Sequence, residues 1–129
     1  HDLQLLGTNL WNSPDFIRRG QNFVNKSIFL DIYLSRSKEF TASPFYKNFR
    51  QTYKKRPGSF AVQGYDAGKL TLATLKEEPK NRIDFLRLLS NVKATPGAVS
   101  KISMGENREI VRPLVALTVE KGAIVQVSQ

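Results

Sequence analysis

Two strand-like runs enclose a helix start near the beginning of the sequence, and this order constrains the fold more than any other feature. The first run, Leu3–Gly7, is apolar and ends at a glycine, whereas the second, Ser27–Tyr33, is rich in β-branched and aromatic residues. Between them, Ser13–Asp15 supplies a capping serine, a proline for the first helical position and an acidic residue for the positive end of the helix dipole. We predict a helix from there to Gly20 and an α/β fold class.

The middle of the chain is predicted to be mainly helical. A polar connector, Ser35–Thr41, precedes a second serine–proline start. Three helices are predicted: one from Ser43 to about Arg56, one over Ser59–Glu77, and one from about Asn81, with Asp84 in a capping-box-like relation.

The helix predicted over Ser59–Glu77 contains the segment Gly64–Ala67, in which a tyrosine and an aspartate follow a glycine. Apolar or small residues recur there at helical spacing, namely at Ala61, Tyr65, Gly68, Leu72 and Leu75. This pattern places Tyr65 and Gly68 on a buried face and Asp66 off it. Because a glycine inside a helix costs up to about 1 kcal/mol, we expect a compensating close backbone approach at Gly64 and Gly68.

The end of the sequence is predicted to be a β-hairpin. Strands over 114–119 and 123–127 are joined by the three residues 120–122, with Gly122 in the left-handed conformation. Turns are predicted at Pro96-Gly97 and at 104–107. The expected architecture therefore has about four helices, a short sheet and a carboxyl-terminal hairpin.

Composition narrows the classes of function. The 129 residues include no cysteine, which excludes disulfides and thiolate chemistry, and no apolar run is long enough to span a membrane. The net charge of +9 is compatible with binding nucleic acid or an anionic surface, but the basic residues are dispersed along the sequence. For the one dense run, Lys54–Arg56, the negative end of the preceding helix dipole is the preferred interpretation over a dedicated nucleic-acid patch. Nucleic acid is therefore not the expected partner.

Catalytic constellations are thin in the sequence, and lysine, tyrosine and carboxylate side chains are what remains for catalysis. The only histidine is His1, and no phosphate-binding loop, dinucleotide fingerprint or metalloprotease motif occurs. No sequence spacing pairs Asp31, Asp66 and Asp84 as acid and base. We therefore predict that the chain is not an enzyme and uses no metal or cofactor.

The segment after the first strand is the candidate binding site. In α/β proteins, ligands lie in the loops that leave the carboxyl ends of strands. Asn9 offers hydrogen-bond donors and acceptors, and Trp11 offers a stacking face. The competing interpretation is a turn asparagine and a half-buried core tryptophan. Both interpretations remain open from the sequence.

Several segments in order resemble one family. These are LLGTNLW, SIFLDIYL, FYKNFRQTYKKRPGSFAVQGYDAGKL, GAVSKISMGENREIVRPL and RPLVALTVEKGAIVQV. In this order and spacing they resemble the carboxyl-terminal portion of the type I periplasmic binding proteins, which include the Leu/Ile/Val-binding proteins and the extracellular receptor ligand-binding family. The resemblance extends from about Leu3 to Val127.

The resemblance implies two Rossmann-like lobes, of which this chain holds only part. Residues 1–35 would lie in the carboxyl-terminal lobe, residues 36–100 would form the helical part of the amino-terminal lobe, and residues 101–129 would return to the carboxyl-terminal lobe with the final hairpin. Because the central strands of both sheets are missing, apolar faces would be uncovered. We therefore expect the rest of a longer chain or a second copy to complete the fold.

The resemblance also implies a function. It predicts the solute-binding component of an ABC-type importer, in the periplasm or on the outer surface of the cell envelope and lipid-anchored through an absent amino terminus, with a membrane permease as partner. The ligand would be a small polar molecule such as an amino acid, contacted by Thr8, Asn9 and Trp11. Amino-acid-binding members place a carboxylate where this chain has the neutral Asn9. The alternative is a non-transport envelope lipoprotein that regulates a cell-wall enzyme by protein contact.

Overall fold

The computed structural model describes residues 3–127, which form two compact units. Unit 1 comprises His1–Thr41 and Leu114–Gln129, and unit 2 comprises Ala42–Pro113. Residues 101–104 and 110–111 form strands within unit 2. The assignment of residues 1–35, 36–100 and 101–129 to two lobes stays a prediction.

A four-stranded sheet forms the centre of unit 1. Its strands are β1 (Leu6–Gly7), β2 (Ile28–Asp31), β6 (Val115–Glu120) and β7 (Ala123–Gln126), and they lie side by side in that order. β1 and β2 run parallel, with Leu6 opposite Ile28, while β6 is antiparallel to both β2 and β7. The predicted α/β class is confirmed, although β1 is shorter than the predicted strand.

One face of this sheet holds the core of unit 1. Phe29, Leu117 and Val119 are buried there, and α1 (Pro14–Gly20) covers them with Phe16 and Ile17. The other face carries apolar side chains that are open to solvent, including Leu6 at 73% and Leu30 at 51% exposure. Within the described residues of unit 1, the packed helix covers one face of the sheet, and apolar side chains of the other face remain exposed.

Unit 2 combines three helices with a small sheet. The helices are α3 (Pro44–Tyr53), α4 (Ser59–Leu75) and α5 (Arg82–Ser90). The antiparallel sheet consists of β3 (Thr95–Pro96), β4 (Lys101–Met104) and β5 (Ile110–Val111). Leu70 of α4 packs in a core with Ile102 and Met104. The two turns of this region were predicted from the sequence, but the short strands were not.

Local capping determines where three of the helices begin, as predicted. The side chains of Ser13 and Ser43 accept hydrogen bonds from the amides of the residues three positions later, at 3.3 and 3.1 Å. Asn81 accepts from the amide of Asp84 at 3.0 Å, while the Asp84 carboxylate accepts from the amide of Lys80 at 3.1 Å. These bonds satisfy amides that the helix cannot pair internally.

The predicted connector at Ser35–Thr41 is wrong in part, because it contains a short helix, α2 (Lys38–Ala42). The Ser37 hydroxyl accepts a hydrogen bond from the amide of Phe40 at 3.1 Å. The Phe40 side chain is buried and lies 4.6 Å from the Tyr33 ring, centroid to centroid. Burial of this one ring, with a serine cap, stabilises a turn of helix in a polar segment.

The predicted buried face of α4 is wrong. The side chains that are buried belong to Val62, Asp66, Leu70 and Thr74. Tyr65 is 40% exposed, and no atom would lie within 4 Å of a β-carbon added at Gly64 or Gly68. Apolar residues occur on more than one side of this helix, so packing against β3 and β4 decides which side is covered.

The final hairpin is confirmed, but its loop has two residues, not three. Glu120 pairs with Ala123, so only Lys121 and Gly122 lie in the turn, with φ of +49° and +73°. Two positive φ values in a two-residue loop match the right-handed twist of the strands.

Two glycine substitutions should change stability in opposite directions. Gly122→Ala is expected to lower the free energy of unfolding by about 1 kcal/mol, since a β-carbon disfavours positive φ. Gly64→Ala, in open space within α4, is expected to raise it by up to about 1 kcal/mol. Urea denaturation of both variants checks this, and a shift of the same sign in both would contradict it.

Candidate functional site

The carboxyl ends of β1 and β2 meet at one edge of the unit 1 sheet, because these strands are parallel. The segment Thr8–Trp11 leaves β1 at this edge, and the segment 32–36 leaves β2 at the same edge. Such an edge is the usual place for ligands in open α/β sheets.

Thr8, Asn9 and Trp11 form one tight turn at this edge. Asn9–Trp11 is a single turn of 3-10 helix, in which the Trp11 amide donates to the Thr8 carbonyl at 3.0 Å. Thr8 is exposed and Asn9 is half-buried. The turn therefore brings both polar side chains close together at the strand ends.

The indole of Trp11 is engaged in packing. It stacks on the Phe16 ring at 4.5 Å between centroids and meets the Phe29 ring edge-on at 6.1 Å. Gly7 lies so close that a β-carbon there would be 2.2 Å from the indole Cε3. The ring therefore anchors the turn to the core of unit 1, and its contact with a ligand stays a prediction.

A buried polar cluster, which no sequence pattern predicted, supports the same edge. The Asn12 side-chain amide donates to the Asp31 carboxylate at 2.7 Å and to the Tyr33 carbonyl at 2.9 Å. Asp31 also accepts from the Ile32 amide at 2.6 Å. These bonds tie the segment after β1 to the segment after β2. Asn12 Oδ1 is buried with no hydrogen-bond partner among residues 3–127, an arrangement that calls for a donor from water or ligand.

The phenol of Tyr33 should titrate late. Burial, with the Asp31 carboxylate as the second cause, raises the pKa of Tyr33 from 10.0 to about 12. Because the folded-state pKa is the higher one, the resulting stabilisation is complete below pH 10 and is lost as the pH rises towards 12.

Tyrosinate absorbance should show a late ionisation step that Tyr33→Phe removes. Tyr53→Phe, a matched change at an exposed ring, should leave that step in place; loss of the step in both variants would contradict the assignment.

A small pocket of about 160 Å³ lies beside α1 in unit 1. Its lining includes the hydroxyl residues Ser13 and Ser35, the cation Arg36, and the apolar Ile17 and Ile124. Hydroxyls and a guanidinium above an apolar floor suit a ligand group that accepts hydrogen bonds. The pocket is smaller than the roughly 300–1,000 Å³ of usual ligand sites, so it would hold only part of a solute. Thr8, Asn9 and Trp11 do not line it.

The segment Gly64–Ala67 belongs to unit 2, where Asp66 has a structural role. Its carboxylate pairs with the Arg112 guanidinium and accepts a hydrogen bond from the Ala98 amide at 2.7 Å. Asp66 is 2% exposed, so these partners replace its contact with water. The carboxylate therefore joins α4 to the β3–β4 turn and to the residue that follows β5.

Within residues 3–127, no three histidine, cysteine or acidic side chains come together as a metal site would require. His1, the only histidine, lies outside the described residues. No helix in the described range is long and apolar enough to cross a membrane.

A scan against protein-family models gave no match, and a search of curated proteins gave none either. Solved structures, in contrast, match nearly the whole chain. One is assigned to a branched-chain amino-acid ABC transporter of Rhodospirillum rubrum, with 23% identity and a TM-score of 0.79, covering 98% of this chain and 38% of that one. A second is the leucine-binding protein LivK of Thermotoga maritima, with 19% identity and a TM-score of 0.77. The match covers 99% of this chain and 37% of LivK.

A third is LivJ of Streptococcus pneumoniae, a branched-chain amino-acid transporter substrate-binding protein in complex with isoleucine, with 21% identity and a TM-score of 0.72, covering 98% and 37%. These neighbours are solute-binding proteins and not enzymes. The chain spans little more than a third of their length. It therefore has the α/β fold of a part, consistent with the carboxyl-terminal portion, of the type I periplasmic binding proteins.

Proposed function

We propose that the chain is part of the solute-binding protein of an ABC-type importer and contributes one side of the cleft that holds a small polar solute. The observation that carries this proposal is the shared fold, which covers 98–99% of the chain in proteins named as ABC-transporter components or substrate binders. The proposed solute is an amino acid or a related compound.

The turn after β1 is the proposed contact with the solute. Thr8 and Asn9 present a hydroxyl and an amide at the carboxyl edge of the sheet. Trp11, packed on Gly7 and Phe16, would fix the position of this turn and close the apolar side of the contact. Groups held by packing in this way bind without a large ordering cost.

The charge of this edge bears on the class of solute. The segment Gly7–Trp11 contains no acidic residue. Asp31, at the end of the neighbouring strand β2, is buried and already accepts from Asn12 and Ile32. This part of the cleft would therefore bind neutral polar groups or a carboxylate better than an ammonium group.

A thermal-shift screen tests the proposed function. Amino acids, small carboxylates and sugars are added to the chain and to any longer natural form that contains it. A solute at about 100 times its Kd should stabilise the folded state by about 2.7 kcal/mol and raise the Tm. Asn9→Ala should weaken that solute about tenfold, whereas Asn22→Ala, an exposed asparagine before the start of β2, should not. Flat traces across the whole panel would contradict the proposal.

We propose that the chain works in the periplasm or on the outer surface of the cell envelope. Its proposed protein partners are a membrane permease and further protein that completes the fold. The exposed sheet face of unit 1 and large exposed side chains of unit 2, such as Phe60 at 81% and Ile83 at 80%, support the need for a longer chain or a second copy. Light scattering of the 129-residue chain alone is expected to show self-association. A compact, stable monomer would argue against it. The alternative role, regulation of a cell-wall enzyme, is not favoured by the neighbours, which are solute-binding transport proteins.

A further inference from the structure

The excess positive charge of the chain is concentrated in unit 2. Unit 2 contains 14 lysine and arginine residues and six acidic residues, a net charge of +8, whereas unit 1 contains six and five, a net charge of +1. The cations are therefore dispersed along the sequence but concentrated in one unit.

Within unit 2, one segment carries most of this charge. Residues 42–65 contain no acidic residue but five cations, all exposed: Lys47, Arg50, Lys54, Lys55 and Arg56. The ion pairs of the described residues lie elsewhere, between Arg18 and Asp15, Arg87 and Asp84, and Arg112 and Asp66. The dipole of α3 favours cations at its end, but only by about 0.3–1 kcal/mol each within its last turn. These five neighbouring cations have no ion-pair partner among residues 3–127 and repel one another, so the dipole alone is a weak reason for them.

Beside these cations lies an aromatic groove between α3 and α4, of about 330 Å³. Phe45, Phe49, Tyr53 and Tyr65 line it. The Phe49 and Tyr53 rings lie 4.6 Å apart, and the Phe45 and Tyr65 rings lie 4.7 Å apart, centroid to centroid. Tyr53 and Tyr65 remain 58% and 40% exposed. Lys54–Arg56 continue directly from Tyr53, so the cationic segment begins at the rim of the groove.

We infer that this groove and the adjoining residues Lys54–Arg56 form a docking surface for an acidic segment of a partner protein, which inserts one aromatic or large aliphatic side chain between α3 and α4. Tyrosine, phenylalanine and arginine side chains around a groove are the composition of protein interface centres. The charge of residues 42–65 is complementary to a partner segment rich in aspartate and glutamate. The surface belongs to unit 2, whereas the solute site is proposed on unit 1, and this inference extends the proposed function.

The shape of the groove favours a protein segment over other anions. A bound small molecule usually has roughly 70–90% or more of its surface buried in its pocket. Because Tyr53 and Tyr65 remain 58% and 40% exposed, this groove would bury a smaller share of such a ligand. Nucleic acid or an anionic membrane would use the cations but would not need a groove for a single apolar side chain. The groove and the cations together therefore point to an acidic peptide with an apolar anchor.

Fluorescence anisotropy with a defined probe tests this inference. The probe is a fluorescein-labelled peptide of alternating aspartate and glutamate around one central phenylalanine, and the protein is the whole chain. We expect saturable binding that weakens as salt is added. Replacing the phenylalanine of the probe with alanine, or Tyr53→Ala in the protein, should each weaken binding about tenfold, because each removes one side of the apolar contact.

Charge reversal with a matched control shows whether the probe binds at the proposed docking surface or is attracted only by the net charge of the chain. Lys54→Glu with Lys55→Glu and Arg56→Glu should weaken the probe at least about tenfold. The same change of charge at Lys76, Lys80 and Arg82, which are exposed elsewhere in unit 2, should have a far smaller effect. If circular dichroism shows that the triple variant does not fold, the double variant Lys55→Gln with Arg56→Gln, which only neutralises two charges, is tested in its place. Equal weakening by both reversals, or tighter binding of duplex DNA or phosphatidylglycerol vesicles than of the probe, would overturn the inference.

Discussion

Asp66→Ala is expected to lower the free energy of unfolding by about 3–5 kcal/mol, the usual cost of removing one partner from a buried ion pair. The Asp66 carboxylate is 2% exposed and pairs with Arg112, whose side chain is only 13% exposed. The variant would leave that guanidinium buried without its anion and the Ala98 amide without its acceptor. Urea denaturation, followed by circular dichroism, measures the loss.

Two controls make the Asp66 result specific. Asp66→Leu combined with Arg112→Met removes both charges together and should restore most of the stability. Asp15→Ala breaks a pair with Arg18 in which both side chains are exposed to solvent, and its effect should be far smaller. A loss below about 1 kcal/mol for Asp66→Ala would show that the pair does not hold unit 2 together.

Gly7→Ala should destabilise unit 1 by about 1–3 kcal/mol, the usual cost of overpacking. The new β-carbon would lie 2.2 Å from the indole Cε3 of Trp11, so the ring must move away from residue 7 and its stacking on Phe16 is disturbed. Trp11 is the only tryptophan, so its fluorescence emission should shift to longer wavelength as the ring gains contact with water. Gly68→Ala, which meets no atom within 4 Å, is the matched control and should leave the spectrum unchanged. Unchanged emission and stability in Gly7→Ala would contradict the packing described for the candidate turn.

The parts of the fold that the sequence predicted correctly depend on neighbours within a few residues. Ser13, Ser43 and Asn81 were identified as caps because each bonds to the amide three residues later. Gly122 was identified because its left-handed conformation belongs to a tight hairpin turn. Residue types restrict such local geometry directly, whatever the rest of the fold does.

The parts that could not be predicted depend on distant partners. Asp66 is buried because Arg112, 46 residues later, and the Ala98 amide bond to it. Without those partners, an aspartate in a helix would be expected on the exposed side, and the apolar spacing of Tyr65 and Leu72 would be expected to mark the core. Both expectations failed for α4 because a long-range ion pair and packing against β4 outweigh helical periodicity.

The candidate site also has one part that local sequence predicts and one part that depends on distant residues. The position of Thr8–Trp11 at the end of a strand follows from local pattern, and so does the short turn that contains it. The cluster of Asn12, Asp31 and Tyr33 joins residues 19 and 21 positions apart, and no spacing in the sequence brings them together. The parallel pairing of β1 with β2 creates this neighbourhood.

Solute binding at the turn after β1 is the central claim, and the single tryptophan of the chain gives a direct measurement of it. Titration of the protein with amino acids, small carboxylates and sugars, followed by Trp11 fluorescence, should give a saturable change with at least one solute, because Trp11 lies in the proposed contact. Asn9→Ala should shift that titration about tenfold to higher concentration, while Asn22→Ala should leave it in place. Fluorescence that stays constant across the panel, or a titration that Asn9→Ala does not move, would contradict the account.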